Sequence, residues 1–453
     1  MQIMSEAGFG GTSSEEYLRF PDDFLWGVST AAHQVEGDNC NQWSDWEQAG
    51  RIKSGDSCGK ACDWWENAER DFDIARDLGL KALRLSLEWS RIEPEECRFD
   101  PQALQRYRQM LEGLHQRGIE PIVCLHHFTH PCWFEKRGAF LRSDAPQLFE
   151  RFAREVAKAV GNLCRLWVTF NEPNVYAGCG YVVGEFPPGR KGELLNALRV
   201  NCIQAQAHVL AYRAIHELVP DAQVGWAQHY VVFEPVGGIL DGWAASLLDR
   251  FFNNAFFELI EEGRLAFPFG LLNGREREAK GCCDFVGLNV YSRLHVAFDL
   301  RFVSTLFTNI FVPGHVPQGD RGVEKPYGEA YPQAVALAVR RAAKLGKPIY
   351  IMENGVPDAE DRIRPWLIVN VLRELHGLIE QGHDIRGYLH WTLTDNFEWN
   401  EGWKLRFGLV ALDPDTQDRT MRSSAKLFSE IVRSNQLADP TVDRYPLVSK
   451  TAP

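Results

Sequence analysis

The chain has 453 residues, 45% hydrophobic and 24% charged, and its 49 Lys and Arg against 61 Asp and Glu give a net charge of −12. This composition excludes disorder, a collagen-like chain and a small disulfide scaffold. No cluster of Lys and Arg is present to neutralise phosphates, so no nucleic-acid partner is expected. No run reaches the roughly 18 apolar residues of a membrane helix, so no membrane partner is expected either. The N-terminal stretch Met1 to Ser14 is Gly/Ser-rich without the apolar segment of an export signal. Eleven cysteines at irregular spacing then predict free thiols in a reducing cytoplasm. Cys40, Cys58 and Cys62 lack a fourth ligand at regular spacing, and no metal or other cofactor is expected. The one unusual figure is 14 Trp.

Short apolar runs alternate with helical patterns along the chain. The runs are Phe24–Thr30, Ala82–Trp89, Glu120–Phe128, Leu163–Phe170, Gln223–Tyr230, Asp284–Tyr291, Pro348–Glu353 and Ile385–Trp391. Several are almost continuously hydrophobic, as in strands buried on both faces. Between them, Leu104, Tyr107, Leu111 and Leu114 follow the 3.6-residue period, as do Leu367, Val371, Leu375 and Leu378. Further helical stretches lie at Ala145–Val160, Leu194–Val219, Leu247–Ile260, Pro332–Leu345 and Met421–Val432. The alternation predicts a single (β/α)8 TIM barrel with long loops at the C-terminal face of the strands. A doubly wound open sheet is the competitor, but no Gly-rich phosphate turn follows the first strand. The barrel is expected over residues 20–435, between a flexible N-terminal extension (1–19) and a C-terminal tail (436–453). About forty residues between Tyr291 and Tyr331 read as a long apolar loop, either packed on the rim or forming a wall or lid over the mouth.

Barrel enzymes carry their chemistry at the C-terminal strand ends. The polar residues there are Gln34, Arg84, His127, Asn171 with Glu172, Tyr291, Glu353 with Asn354, and Trp391. Glu172 and Glu353 stand out, because a carboxylate ending a buried strand is costly unless paired or functional. A structural ion pair with Arg84 would explain either one alone. Two across one barrel mouth point to glycoside hydrolysis, which uses a carboxyl pair. Trp391, Trp399 and Trp403, interleaved with Asp395, Asn396 and Glu398, fit the flat C–H faces and hydroxyls of a sugar ring. His126, His127 and His130 suggest no metal, since adjacent strand residues face opposite ways.

At these residues the sequence resembles family-one glycoside hydrolases, the β-glucosidase family. The stretch Phe20-Pro-Asp-Asp-Phe-Leu-Trp-Gly-Val-Ser-Thr-Ala-Ala-His-Gln-Val-Glu-Gly37 is similar to its N-terminal signature. Thr169-Phe-Asn-Glu-Pro173, Glu353-Asn-Gly355, Trp391-Thr-Leu-Thr-Asp-Asn-Phe-Glu-Trp399 and Arg406-Phe-Gly-Leu409 resemble the others, in the family's order. The resemblance implies Glu172 as acid/base and Glu353 as nucleophile, flanked by Tyr291 and Arg84, which keep it ionised and oriented. It implies Asn171 on the 2-hydroxyl, Gln34, His127, Glu398 and Trp399 on the other hydroxyls, Trp391 under the ring, and Phe407 in the substrate site. Three positions depart from the usual pattern: His33 for Tyr, His126-His127-Phe128 for Tyr-His-Trp, and Met352 for Thr.

The expected reaction is double displacement with retention, with the two carboxyls about 5–5.5 Å apart. Glu398, and Leu405 where phosphosugar enzymes of the family tend to have Lys, point to an unphosphorylated β-D-glucoside, with galactoside and fucoside as further substrates. The expected partners are small-molecule β-glycosides, the setting cytoplasmic cellulose degradation, and self-association into a homo-oligomer stays open. A transglycosidase on the same site, and a silent carbohydrate-binding barrel, are the alternatives.

Overall fold

The computed structural model describes residues 17–267, 269–272, 276–438, 441 and 444–446. The eight apolar runs form strands β1 (Leu25–Ser29), β2 (Ala82–Ser86), β3 (Glu120–His126), β4 (Leu166–Asn171), β5 (Gln223–Pro235), β6 (Phe285–Phe298), β7 (Ile349–Asn354) and β8 (Ile385–Trp391). Each pairs in parallel with the next, and β8 pairs with β1, closing the expected (β/α)8 barrel. The runs are apolar throughout because both faces are buried. Ala82, Ile122, Cys124, Val168, Phe285, Met352 and Leu389 fill the barrel interior. Leu83, Leu85, Val123 and Trp167, one residue out of phase, pack outward against the helices. Met352, in place of the family's usual Thr, belongs to this inner layer. It packs where a Cβ on Gly287 would come 2.9 Å from its Cγ.

The surrounding helices are α1 (Trp64–Asp77), α2 (Pro101–His115), α3 (Ala145–Val160), α4 (Leu194–Leu218), α5 (Ala255–Glu262), α6 (Ala334–Ala342), α7 (Arg364–Glu380) and α8 (Ser423–Ser434). Helix α2 starts where Asp100 accepts the N–H groups of Gln102 and Ala103, with Pro101 at its first position. Helix α3 buries Leu148, Phe149, Phe152, Val156 and Val160 along one stripe. Each such large apolar side chain contributes about 1.5–3 kcal/mol. Helix α1 is absent from the periodicity reading. Its stripe consists of Trp64, Ala68, Phe72 and Ala75 with a buried Asp71, which accepts from Trp64 Nε1 and Arg419.

Three departures shape the mouth and the ends. Strands β5 and β6 continue past the barrel, paired as far as Pro235 and Val296. The expected long loop is therefore ordered. After β6, Thr308–Phe311 turns back antiparallel upon it, and Glu329–Ala330 pairs beside Ser292 and Arg293. Helix Ile239–Asp249 packs against this extension, with Asp241 Oδ1 accepting the Phe298 N–H at 2.7 Å. At the opposite face, parts of the expected extension and tail meet: Tyr17–Arg19 pairs antiparallel with Gln436–Ala438. Asn435 locks this strap, accepting from Trp26 Nε1 at 2.8 Å and donating to the Phe20 and Pro21 carbonyls. Residues 1–16 and most of 439–453 lie outside the described residues.

Candidate active site

Strands β3 to β8 deliver His127, Glu172, His229, Tyr291, Glu353 and Trp391 at their C-terminal ends to one cavity of about 340 Å³. That is the size and place of a small-ligand site on this fold. Glu353 ends β7, and both of its oxygens are taken by donors. Arg84 Nη2, from β2, bonds Oε1, and the Tyr291 hydroxyl, from β6, donates to Oε2 at 2.5 Å. Arg84 is fully buried, and its Nη1 donates to Asn171 Oδ1 at 3.0 Å. Burial pushes the Glu353 carboxyl up to about 7 against the pull of Arg84. The Glu172 charge adds to the rise, and the Tyr291 bond opposes it. The two donors orient Glu353, but burial outweighs them, so its ionisation sits near neutrality. Gly355 lets this strand end approach β8: a Cβ there would lie 2.3 Å from the Trp391 carbonyl oxygen.

Glu172 follows β4 in the left-handed region (φ 48°, ψ 61°), uncommon for a residue with a Cβ. Its N–H donates to the Ala227 carbonyl at 2.7 Å, and Pro173 opens the short helix behind it. Its Oε1 accepts from Asn289 Nδ2 at 2.8 Å and lies 3.0 Å from His229 Nδ1. Asn289 also donates to Asn171 Oδ1 at 2.9 Å, so one network spans both carboxyl groups.

The rest of the cavity floor is polar and aromatic. Asn171 Nδ2 lies 3.0 Å from His127 Nε2, which makes that nitrogen the acceptor and leaves the proton on Nδ1. His127 Nδ1 is buried with no protein partner, and so is Gln34 Oε1. Gln34 Nε2 donates to Asn396 Oδ1, the Phe397 carbonyl and Glu398 Oε2. Burial pushes Glu398 up to about 8 against the Gln34 bond, with Glu353 and Glu172 adding to the rise. Burial and the Arg84 charge hold His127 well below the usual range, so it is neutral. His127 packs on Trp391 and Trp399, with ring centroids 5.8 and 5.9 Å away. His33 stacks on Trp399, 11° from parallel, and burial pushes it down to about 3. It therefore serves as a neutral aromatic neighbour of Trp399.

Of the residues expected here, His127, Glu172, Tyr291, Glu353, Trp391, Glu398 and Trp399 line the cavity. Gln34, Asn171 and Arg84 bond lining groups from just behind it. Phe407 does not line it: it packs edge-on behind Tyr291 and Tyr327, with centroids 6.0 and 5.1 Å away. His229, Asn289 and Tyr327 were missed. His229 lies one residue inside the end of the Gln223–Tyr230 run, and the strand itself continues past it to Pro235. Asn289 was readable as a polar residue within Leu288 to Tyr291. Cys58 and Cys62, weighed as metal ligands, instead donate to the His33 and Asp395 carbonyls.

Comparison with known proteins matches the profile described as glycosyl hydrolase family 1 to residues 16–437. β-Glucosidase A of Thermotoga maritima is 30% identical, over 93% of this chain and 99% of its own. The β-galactosidase of Pyrococcus woesei is 29% identical, over 92% and 97%. Among solved structures, the β-glycosidase from Pyrococcus horikoshii superposes with a TM-score of 0.86 at 35% identity, covering 96% of this chain and 99% of its own. The Thermotoga maritima β-glucosidase in complex with azafagomine gives 0.85 at 28%, covering 93% and 100%. By this match over nearly the whole chain and these relatives, the chain belongs to glycosyl hydrolase family 1.

Proposed function

We propose that the protein is a retaining β-glycosidase that removes a terminal non-reducing β-D-glucosyl residue, with galactosyl and fucosyl residues as further glycones. Glu353 attacks the anomeric carbon while Glu172 gives its proton to the glycosidic oxygen, which leaves as an alcohol. The product of this step is a covalent glycosyl ester on Glu353. Glu172 then takes a proton from water, whose oxygen displaces Glu353 from the opposite face, and the anomeric configuration is retained. The observation that carries this reading is the asymmetry of the pair. Glu353 has a donor fixed on each oxygen, whereas Glu172 is held through Oε1, which leaves Oε2 to carry the proton.

Asn171 faces the 2-hydroxyl, where hydrogen bonds strengthen in the transition state. The unpartnered Gln34 Oε1 and His127 Nδ1, with Glu398 and Trp399, suit the remaining hydroxyls, and Trp391 supports the ring. The Glu398 carboxyl favours a neutral sugar over a phosphorylated one. A reducing, cytoplasmic setting is supported by buried thiols such as Cys58, Cys62 and Cys124, which donate to backbone carbonyls. The test is Glu353→Ala on a chromogenic β-glucoside. Hydrolysis should fall by at least about 10⁴-fold, the order seen when catalytic nucleophiles are removed. Azide should restore turnover and give the α-glycosyl azide. Retained activity, or a β-product, would overturn the assignment.

A further inference from the structure

The leaving-group side of the cavity is unlike the sugar side. In the proposed reaction Glu172 protonates the departing oxygen, so the aglycone must leave along the wall beside Glu172. That wall is apolar. Val175 follows Glu172 on the same short helix, and Val182 comes from the widened helical turn Gly178–Val183. Next to Glu172, the His229 ring leads to Phe252 at 5.8 Å and from there to Phe233 at 5.9 Å. Leu306, beyond β6, lines the same wall.

The facing wall is charged, but its groups satisfy one another. Lys53 pairs with Glu185 at 3.1 Å, Glu324 at 3.3 Å and Glu401 at 3.6 Å, and Lys325 pairs with Glu185 at 3.3 Å. Glu401 also accepts the Val323 N–H, while Asn400 accepts from Trp46 and donates to the Glu185 carbonyl. A second sugar would bring several hydroxyls to a wall with few open partners, and burying a hydroxyl unpaired is unfavourable. A hydrocarbon brings no hydroxyls that need partners, and the apolar wall beside Glu172 can cover it.

The apolar surface also continues outward. Ile310 lines the cavity and is exposed at its edge. Around it the antiparallel extension and helix Ile239–Asp249 expose Phe302, Val303, Leu240, Trp243 and Ile239, the last 93% exposed. Trp243 packs on Phe298 and Phe307, which joins the two segments into one patch. Contiguous exposed apolar patches on a monomer mark binding sites.

We propose that the aglycone this site takes is a long apolar chain, so that its substrate class is a single β-linked sugar on a lipid-like alcohol. This rests on the glycosidase reading above. The test compares kcat/KM for methyl, butyl, hexyl and octyl β-D-glucoside, below their aggregation limits, with cellobiose. The expected result is a rise of roughly fourfold for each methylene that becomes buried, the scale of burying one CH₂. Octyl glucoside should exceed methyl glucoside by at least about tenfold and should also exceed cellobiose. A flat ladder, or cellobiose as the best substrate, overturns the proposal while leaving the glycosidase reading intact. No hydrolysis of any of the five overturns both. Leu306→Asn, a replacement suited to the left-handed backbone there (φ 60°), should lower the octyl-to-methyl ratio, and so should Phe252→Asn. An unchanged ratio in both variants counts against the wall.

Discussion

Glu398 is a third acid, part-buried, at a cavity behind which the fully buried Arg84 is already bonded to Glu353 and Asn171. Replacing it by Gln keeps the shape and the Gln34 contact but removes the charge. Its carboxyl is raised from 4.5 to about 8 in the folded protein, a full penalty for the ionised form of about 5 kcal/mol. Part of the side chain opens onto the cavity, and solvent screening there reduces the effect to about 2–3 kcal/mol. The folded state binds this proton more tightly than the unfolded chain does. The acid therefore costs nothing below pH 4.5, and its cost grows as pH rises toward about 8. Glu398→Gln should match the wild type in stability at pH 4 and exceed it by about 2–3 kcal/mol at pH 9. At about 2.1 cal/mol/K per residue over 453 residues, that is a rise in Tm of about 2–3 °C. The assay is thermal or urea unfolding of both proteins from pH 4 to 9, followed by kcat/KM on a β-glucoside. At pH 9, where the carboxyl is ionised, activity should fall roughly 30–150-fold, since charge-assisted bonds to the sugar are lost. A variant no more stable than the wild type at pH 9, or a gap that ignores pH, would refute the argument that this carboxylate is held at a cost for binding.

Tyr291→Phe removes the bond that pulls Glu353 down while leaving burial in place, so that carboxyl should rise further above about 7. The acidic limb of the kcat/KM profile should move to higher pH, with a larger loss at pH 6 than at pH 8. A limb that stays in place would count against Tyr291 as the group setting it. Asp395, 1% exposed, accepts Arg422 at 2.9 and 2.8 Å and the Gly408 N–H at 2.9 Å, anchoring the turn that carries Glu398 and Trp399. Asp395→Ala should lose about 3–5 kcal/mol in urea unfolding, and adding Arg422→Met should recover part of it, because no unpaired charge is then buried. An additive double mutant would show that the pair is not coupled.

The barrel was legible because parallel strands buried on both faces leave unbroken apolar runs, and Ile385–Trp391 begins and ends where the sequence places it. Legibility failed where strands run on past the barrel rim, part-buried and still paired. Strands β5 and β6 run beyond the residues that end their core-buried runs, so an ordered antiparallel extension reads in sequence as a loop. Helix α1 was illegible for the opposite reason: buried Asp71 interrupts its stripe, and its partner Arg419 lies far away in sequence. Glu172 and Glu353 were readable as charges at the ends of apolar strands. Phe407 was not separable from true lining residues, because an aromatic that touches ligand and one that supports Tyr291 look alike in sequence.

The strap that joins Tyr17–Arg19 to Gln436–Ala438 lies at the N-terminal ends of the strands, beside Trp26. The polypeptide therefore enters the fold on the side away from the mouth, whereas beyond the strap it runs back along α7, where the Pro446 and Tyr445 carbonyls accept from Trp366 and Asn370 in the helix's first turns. An anchor, a fused partner or a solid support attached through the N-terminal side would hold the catalyst with its opening turned outward, leaving bulky or surface-held glycosides free to approach.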